Sequence, residues 1–243
     1  MAINENINPN ELFLELGGDI YKTKCAYYPD RTHIAHTIFD FAGERTHHSI
    51  FDKLLKYGYR RSGMVFYKSI CPDCKACIPI RLRVSDFSLT KSMRKVLKKN
   101  QNTKIEYKPN SSNTEKFNLM NNYLVNKHER KKLYYEEFKF YYGTSIVDTY
   151  DFHYYCDDKL IGVGIVDITK KNASTVYFYF DVFYNKLSPG VFSILKEIEF
   201  CKKTAREYYY LGYLIKDNPK MNYKSNFKPY ELLIDGEWSG DFC

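Results

Sequence analysis

Three thiols at regular spacing lie in Cys71-Pro72-Asp73-Cys74-Lys75-Ala76-Cys77, and a basic strand, Ile78-Pro79-Ile80-Arg81, follows at once. Thiolates at C-x2-C-x2-C reach one metal centre, and a fourth ligand must come from elsewhere. Cys25 is the best-placed candidate, since it stands just before the turn at Tyr28-Pro29-Asp30. Zinc and an iron–sulfur cluster both suit four thiolates. The plain alternative is a tight loop of small buried cysteines.

Cationic side chains follow. Lys91, Arg94, Lys95 and Lys98 recur at i, i+3, i+4, i+7 and so share one helix face. Such a face either lines a nucleic-acid backbone or is simply solvated. Arg81 and Arg83 share a strand face by its period of two, and paired guanidiniums hold a carboxylate or phosphate. Near the C-terminus, Lys220, Tyr223 and Lys224 interleave lysine with tyrosine, a pattern suited to phosphate contact or base stacking.

Two further positions suit acyl chemistry. Ser188-Pro189-Gly190 opens a helix, whose free N–H groups favour an anion or an acyl oxygen. Asp181 ends the aromatic run Tyr177-Phe178-Tyr179-Phe180, where a carboxylate would act as base on an amine or serve as a turn cap. Asp167 is a rival at another strand end. The histidines His33, His36, His47 and His48 fit no metal or catalytic template.

These residues need elements to hold them. Helical periodicity predicts helices over 46–57, 91–100, 115–127, 136–142 and 191–206. Strand patterns fall at 64–67, 78–84, 105–107, 145–155, 159–168, 174–180 and 208–211, with Asp157-Asp158 as a hairpin turn and Gly212 as the last strand's end. Residues 1–30 read as mostly irregular. The order β-β-β-α-β in the second half predicts a mixed α/β fold with an antiparallel meander. Pro109-Asn110-Ser111-Ser112-Asn113 is the linker candidate, dividing the chain into 1–108 and 109–243.

The chain has 243 residues, a formal charge of +8, 24 Tyr and 17 Phe. It is long enough for a large core, and its charge favours anionic partners. No run approaches the ~18 apolar residues of a membrane span, and the N-terminus lacks the apolar core of a secretory signal. The expectation is a cytoplasmic protein whose seven cysteines are reduced.

Taken in order, several motifs resemble the aminoacyl-tRNA–protein transferases of the N-degron pathway, and in particular the bacterial branch. They are Cys25-x-Tyr27-x-Pro29-x-Arg31, Gly58-Tyr59-Arg60-Arg61-Ser62-Gly63, the cysteine loop through Arg81, the basic residues around Ser92 and Arg94, Tyr179-Phe180-Asp181, Tyr210-Leu211-Gly212-Tyr213, and Lys220-Met221-x-Tyr223-Lys224-x-x-Phe227-x-Pro229. The resemblance spans about Cys25 to Trp238. It implies a fold related to the Gcn5-type acetyltransferases, in tandem. It implies transfer of leucine from leucyl-tRNA to proteins with N-terminal Asp or Glu, marking them for degradation. No cofactor is needed for that chemistry. Eukaryotic relatives hold an iron–sulfur cluster, which by resemblance would map to Cys25, Cys71, Cys74 and Cys77. The chain departs from the family pattern at Val182 and Pro189. In this reading Asp181 and Gly190 serve the reaction, Arg81 and Arg83 the acceptor, and Lys91, Arg94, Lys95, Lys98, Lys220, Tyr223 and Lys224 the tRNA. An arginyl-tRNA donor is the alternative within the family. A non-catalytic, metal-containing RNA-binding module is the alternative from another class.

Overall fold

Alternating and β-branched runs become strands because side chains on an extended chain fall on two faces in turn. In the computed structural model, which describes residues 17–39 and 48–240, they build two sheets. The smaller sheet has strands β1 (Asp19–Lys24), β2 (Thr32–Phe39), β3 (Arg60–Ser62) and β4 (Val65–Ser69), in the order β1-β2-β4-β3. Helix α1 (His48–Lys56) lies between β2 and β3 in the chain and buries Phe51, Leu54 and Leu55.

The larger sheet has eight strands in the order β12-β11-β5-β10-β9-β8-β7-β6. They are β5 (Ile78–Arg83), β6 (Lys104–Pro109), β7 (Thr149–Cys156), β8 (Lys159–Ile168), β9 (Asn172–Phe180), β10 (Tyr208–Leu214), β11 (Glu231–Ile234) and β12 (Glu237–Gly240). Helices α2 (Lys91–Lys99), α3 (Thr114–His128), α4 (Tyr135–Tyr142) and α5 (Pro189–Lys203) complete the layers. One core packs α5 against the sheet through Phe192, Leu195 and Ile198. A second joins Leu119, Met120 and Leu124 of α3 to Val163, Ile165 and Tyr179. The mixed α/β class is as expected, and β7-β8-β9 form the predicted meander. Asp157 and Asp158 turn between β7 and β8 with φ of 48° and 59°, the left-handed pair that matches strand twist.

Some expectations need correction. Residues 19–24 form β1, an exposed edge strand without the buried alternation that announces one. Strands β2, β3, β11 and β12 are likewise absent from the sequence reading. Residues 145–148 precede β7 rather than belonging to it. β10 runs past Gly212 to Leu214, with Gly212 at φ 95°. The first two residues of the predicted 46–57 helix, His47 among them, and Cys243 lie outside the described residues.

A split sheet and a thiol cavity as the candidate active site

The larger sheet opens at its centre. β9 and β10 run parallel but pair only at Asn172–Tyr208, Ala173–Tyr209 and Ser174–Tyr210. Past that point each strand carries an extra residue: Val176 in β9 opposite β8, and Leu211 in β10 opposite β5. Bulges bend a strand and end its pairing. β9 therefore follows β8 and β10 follows β5, leaving a V-shaped gap. The middle of β9, from Thr175 to Phe178, is half-buried between buried ends.

Two cations reach into this gap. Arg60, from β3, donates to Ser174 Oγ at 2.9 Å and to the Thr175 carbonyl. Lys224, from a short 3-10 helix at 222–226, donates to the Tyr213 carbonyl at 2.8 Å. The two arms of the V thus each receive one cation. Both head groups converge on Gly212: a Cβ there would sit 3.3 Å from Lys224 Nζ and 3.4 Å from Arg60 Nη2. Burial, then the Arg60 charge, lowers the Lys224 ammonium to about 7. Tyrosines line the opening, with the rings of Tyr142 and Tyr177 5.2 Å apart and those of Tyr67 and Tyr213 6.4 Å apart. The Arg130 charge acts on Tyr27, Tyr142 and Tyr177 together.

Tyr213 also lines a cavity of about 370 Å³ bounded by Cys25, Cys71, Cys74, Cys77, Arg31, His33 and Lys68. All four predicted thiols meet there. Arg31 Nη1 lies 3.4 Å from Cys74 Sγ, and the Ile34 N–H donates to Cys71 Sγ at 3.3 Å. Burial, with the nearby Cys25, Cys71 and Cys74, raises the Cys77 thiol to about 11. The donor chemistry suits a soft metal. The arrangement does not: among the described residues, no three His, Cys, Asp or Glu side chains converge as ligands.

The other predicted residues fall in three places. Arg81 and Arg83 share a face, as expected, opposite Tyr210 and Tyr208 of β10. Arg81 is fully engaged: it donates to Glu231 at 2.6 Å and Tyr210 Oη at 3.0 Å, and lies 3.9 Å over the Tyr208 ring. Arg83 is exposed and donates to Tyr208 Oη at 2.6 Å. Asp181 caps a 3-10 turn by accepting from the Phe183 N–H, and pairs with Lys159 at 2.7 Å. Asp167 is fully buried and locked to Arg61, which removes it as a base.

Lys91, Arg94, Lys95 and Lys98 are exposed on α2, while Met93 anchors its inner face. Asn100, at the end of α2, donates to the Leu187 carbonyl at 2.8 Å. The basic helix is thereby tied to the start of α5, where Gly190 has open space in place of a Cβ. A small pocket beside that turn is lined by Tyr154, Ile161, Phe178, Leu187 and Phe192, with no acidic residue. Lys220 is exposed, Tyr223 packs on the core, and Lys224 is buried, away from the solvated position a backbone phosphate contact would use. Arg60 was visible in the sequence only as part of a motif. Nothing in its spacing announced that it would cross to β9.

Comparison with known proteins fixes the family. Residues 23–95 match the N-terminal part, and residues 115–234 the C-terminal part, of the arginine-tRNA-protein transferases. A protein named aspartate/glutamate leucyltransferase from Saccharophagus degradans is 34% identical over 218 residues, covering 88% of this chain and 92% of that one. One of the same name from Campylobacter jejuni is 35% identical over 228 residues, covering 90% and 93%. Among solved structures, the C-terminal domain of a putative lysylphosphatidylglycerol synthetase from Agrobacterium fabrum aligns with a TM-score of 0.48 at 13% identity, covering 77% of this chain and 63% of that one. That likeness is too low to carry an argument. The chain belongs to the arginine-tRNA–protein transferase family, and it is an enzyme of the aminoacyl-transferring class.

Proposed function

We propose that the protein transfers leucine from leucyl-tRNA to the N-terminal Asp or Glu of proteins, marking them for degradation by the N-end rule pathway. The names of relatives similar along nine-tenths of the chain support the reaction. The observation that favours leucine is the name these relatives share, aspartate/glutamate leucyltransferase. The cleft beside the start of α5 has no carboxylate in its lining, but at about 10 Å³ it holds no more than a water and does not choose the donor. Transfer of arginine is the second reading, favoured by the family's own description.

The reaction is aminolysis of an ester. The acceptor's α-amine attacks the aminoacyl carbonyl, a C–N bond forms, and the tRNA 3′ oxygen leaves with a proton. An ester becomes an amide, so the step needs no cofactor. The α-amine has an ordinary pKa of about 8, so a useful fraction is neutral at cytosolic pH. Positioning then supplies most of the acceleration. In this reading the N–H groups around Gly190 receive the developing oxyanion, and Asp181 caps the 3-10 turn that leads to them. Lys91, Arg94, Lys95, Lys98 and Lys220 hold the tRNA backbone, the α2 set next to the α5 turn. Segments 1–108 and 109–243 work as one unit, and the cytoplasm, where charged tRNA occurs, is the compartment. Among the described residues no helix is long and apolar enough to cross a membrane.

A zinc ion or iron–sulfur cluster at Cys25, Cys71, Cys74 and Cys77 would have to draw those thiols together, and no step of the reaction runs through it. Metal and sulfide content after anaerobic purification tests it. The function itself is tested by offering tRNA charged with leucine or arginine to peptides beginning Asp, Glu, Arg or Ala. Leucine on the Asp and Glu peptides alone is the expected result, and no transfer from either tRNA refutes the enzyme reading.

A further inference from the structure

Arg60 and Lys224 are 7% and 8% exposed, and neither is ion-paired within the described residues. The charged or titratable groups that act on Lys224 are Arg60 and the Cys77 thiol, and no carboxylate is among them. Each cation meets a neutral backbone carbonyl, at Thr175 or Tyr213. One carbonyl satisfies a hydrogen bond but does not neutralise a charge. Two like charges held together out of water are costly unless an anion joins them or the lysine gives up its proton, a loss that the lowered Lys224 ammonium already favours. The bland account is that they cap the carbonyls freed where β9 and β10 part. A serine or asparagine would do that without the charge. Other buried cations in this protein are treated differently: Arg61 is paired with Asp167 and Lys116 with Asp151.

We infer that Arg60 and Lys224 form the subsite for the side-chain carboxylate of the acceptor's N-terminal Asp or Glu. This rests on the acceptor class proposed above. Both head groups converge over Gly212, a residue without a side chain, close enough together for one small planar anion to bridge them. A bidentate Arg and a point-charge Lys are the usual partners of such a group. A phosphodiester backbone is a poorer fit. It is broad and continuous, whereas the exposed lysines of α2 lie on the solvated surface. The subsite also accounts for a feature left over from the sequence, since Arg81 has its guanidinium occupied by Glu231 and Tyr210.

The test is equilibrium binding of fluorescent peptides beginning Asp, Asn or Ala to the full chain, with leucine transfer and leucyl-tRNA binding measured separately. The wild type is expected to bind the Asp peptide about 10- to 100-fold more tightly than the Asn peptide. Lys224→Gln and Arg60→Lys should each erase most of that preference, leaving Asn binding and leucyl-tRNA affinity unchanged. Equal wild-type affinity for Asp and Asn peptides overturns the inference without any variant. So does either variant, folded, that keeps the preference, and so does a loss confined to leucyl-tRNA binding, which would make the anion a phosphate. If one variant does not fold, the other carries the comparison. An Asp preference that depends on these two residues, in a protein that transfers no leucine, would refute the proposed reaction and leave the subsite standing.

Discussion

Arg61 and Asp167 join the two sheets through a two-pronged ion pair. Nε meets Oδ2 at 2.9 Å and Nη2 meets Oδ1 at 2.7 Å, with both side chains at 1% exposure or less. Arg61 lies on β3 of the small sheet and Asp167 on β8 of the large one. Its neighbour Arg60 points the other way and reaches the split. The pair therefore fixes the approach of the residue that enters the candidate site. Removing one partner leaves a buried charge uncompensated, at a cost of about 3–5 kcal/mol. Asp167→Ala should lower the unfolding free energy by that amount in urea titration. It should also reduce transfer at temperatures where the protein is still folded, because β3 is no longer anchored.

The α2 lysines make a salt-dependent prediction. Replacing Lys91, Arg94, Lys95 and Lys98 with alanine should leave thermal stability nearly unchanged, since all four are exposed. Each lost phosphate contact should reduce the slope of log affinity against log salt by about 0.7–0.9 for tRNA. Filter binding over a range of potassium chloride reads this. An unchanged slope would place the tRNA elsewhere.

Asp181 is held at two points, by the Phe183 N–H at 3.1 Å and by Lys159 at 2.7 Å. If it orients the attacking amine, Asp181→Asn keeps the cap yet should reduce kcat at least about 10-fold with the fold intact. Full activity in folded Asp181→Asn would make it a structural cap alone. Asp181 lies roughly 20 Å by strand rise from Thr175, which receives Arg60, too far for one acceptor residue to place its amine at Asp181 and its carboxylate at Arg60, so full activity of Asp181→Asn is the outcome expected here.

Glu197 sits fully buried in α5, where its oxygens accept from Ser193 and Tyr209, each at 2.5 Å. Burial raises its carboxyl from 4.5 to about 7, although both hydrogen bonds pull it down. A raised carboxyl favours the folded state most at low pH. Its contribution is fully present below 4.5, the ordinary value, and declines as pH rises through about 7. Stability should therefore fall between pH 5 and 8 by up to a few kcal/mol, since each tenfold change in proton affinity is worth ~1.4 kcal/mol. Glu197→Gln should flatten that decline in urea titrations at matched pH. Persistence of the slope in the variant would assign it to another group.

Much of the fold was readable because long elements carry their period. β8 was read with its observed ends, 159–168, since nine of its ten residues are buried and β-branched or small residues dominate. β1 and β12 were not, because edge strands with exposed faces lack that alternation. The thiols, the α2 cations and Gly190 were legible from spacing alone. The split between β9 and β10 was not. It depends on two single-residue bulges, Val176 and Leu211, and on strand partners far apart in sequence. For the same reason Lys224 reads as a solvated lysine in its local segment and becomes a buried cation only once the turn folds under β10. Arg81 is the converse case. Its type was right for an anion, but the protein's own Glu231, 150 residues away in the chain, already supplies one.

The most direct measurement is the transfer assay with separately charged tRNAs. Leucine, and not arginine, should appear on peptides beginning Asp or Glu and not on those beginning Arg or Ala. Arginine in place of leucine would contradict the proposed donor. Absence of transfer from both, by folded protein that still binds tRNA, would contradict the enzymatic account altogether.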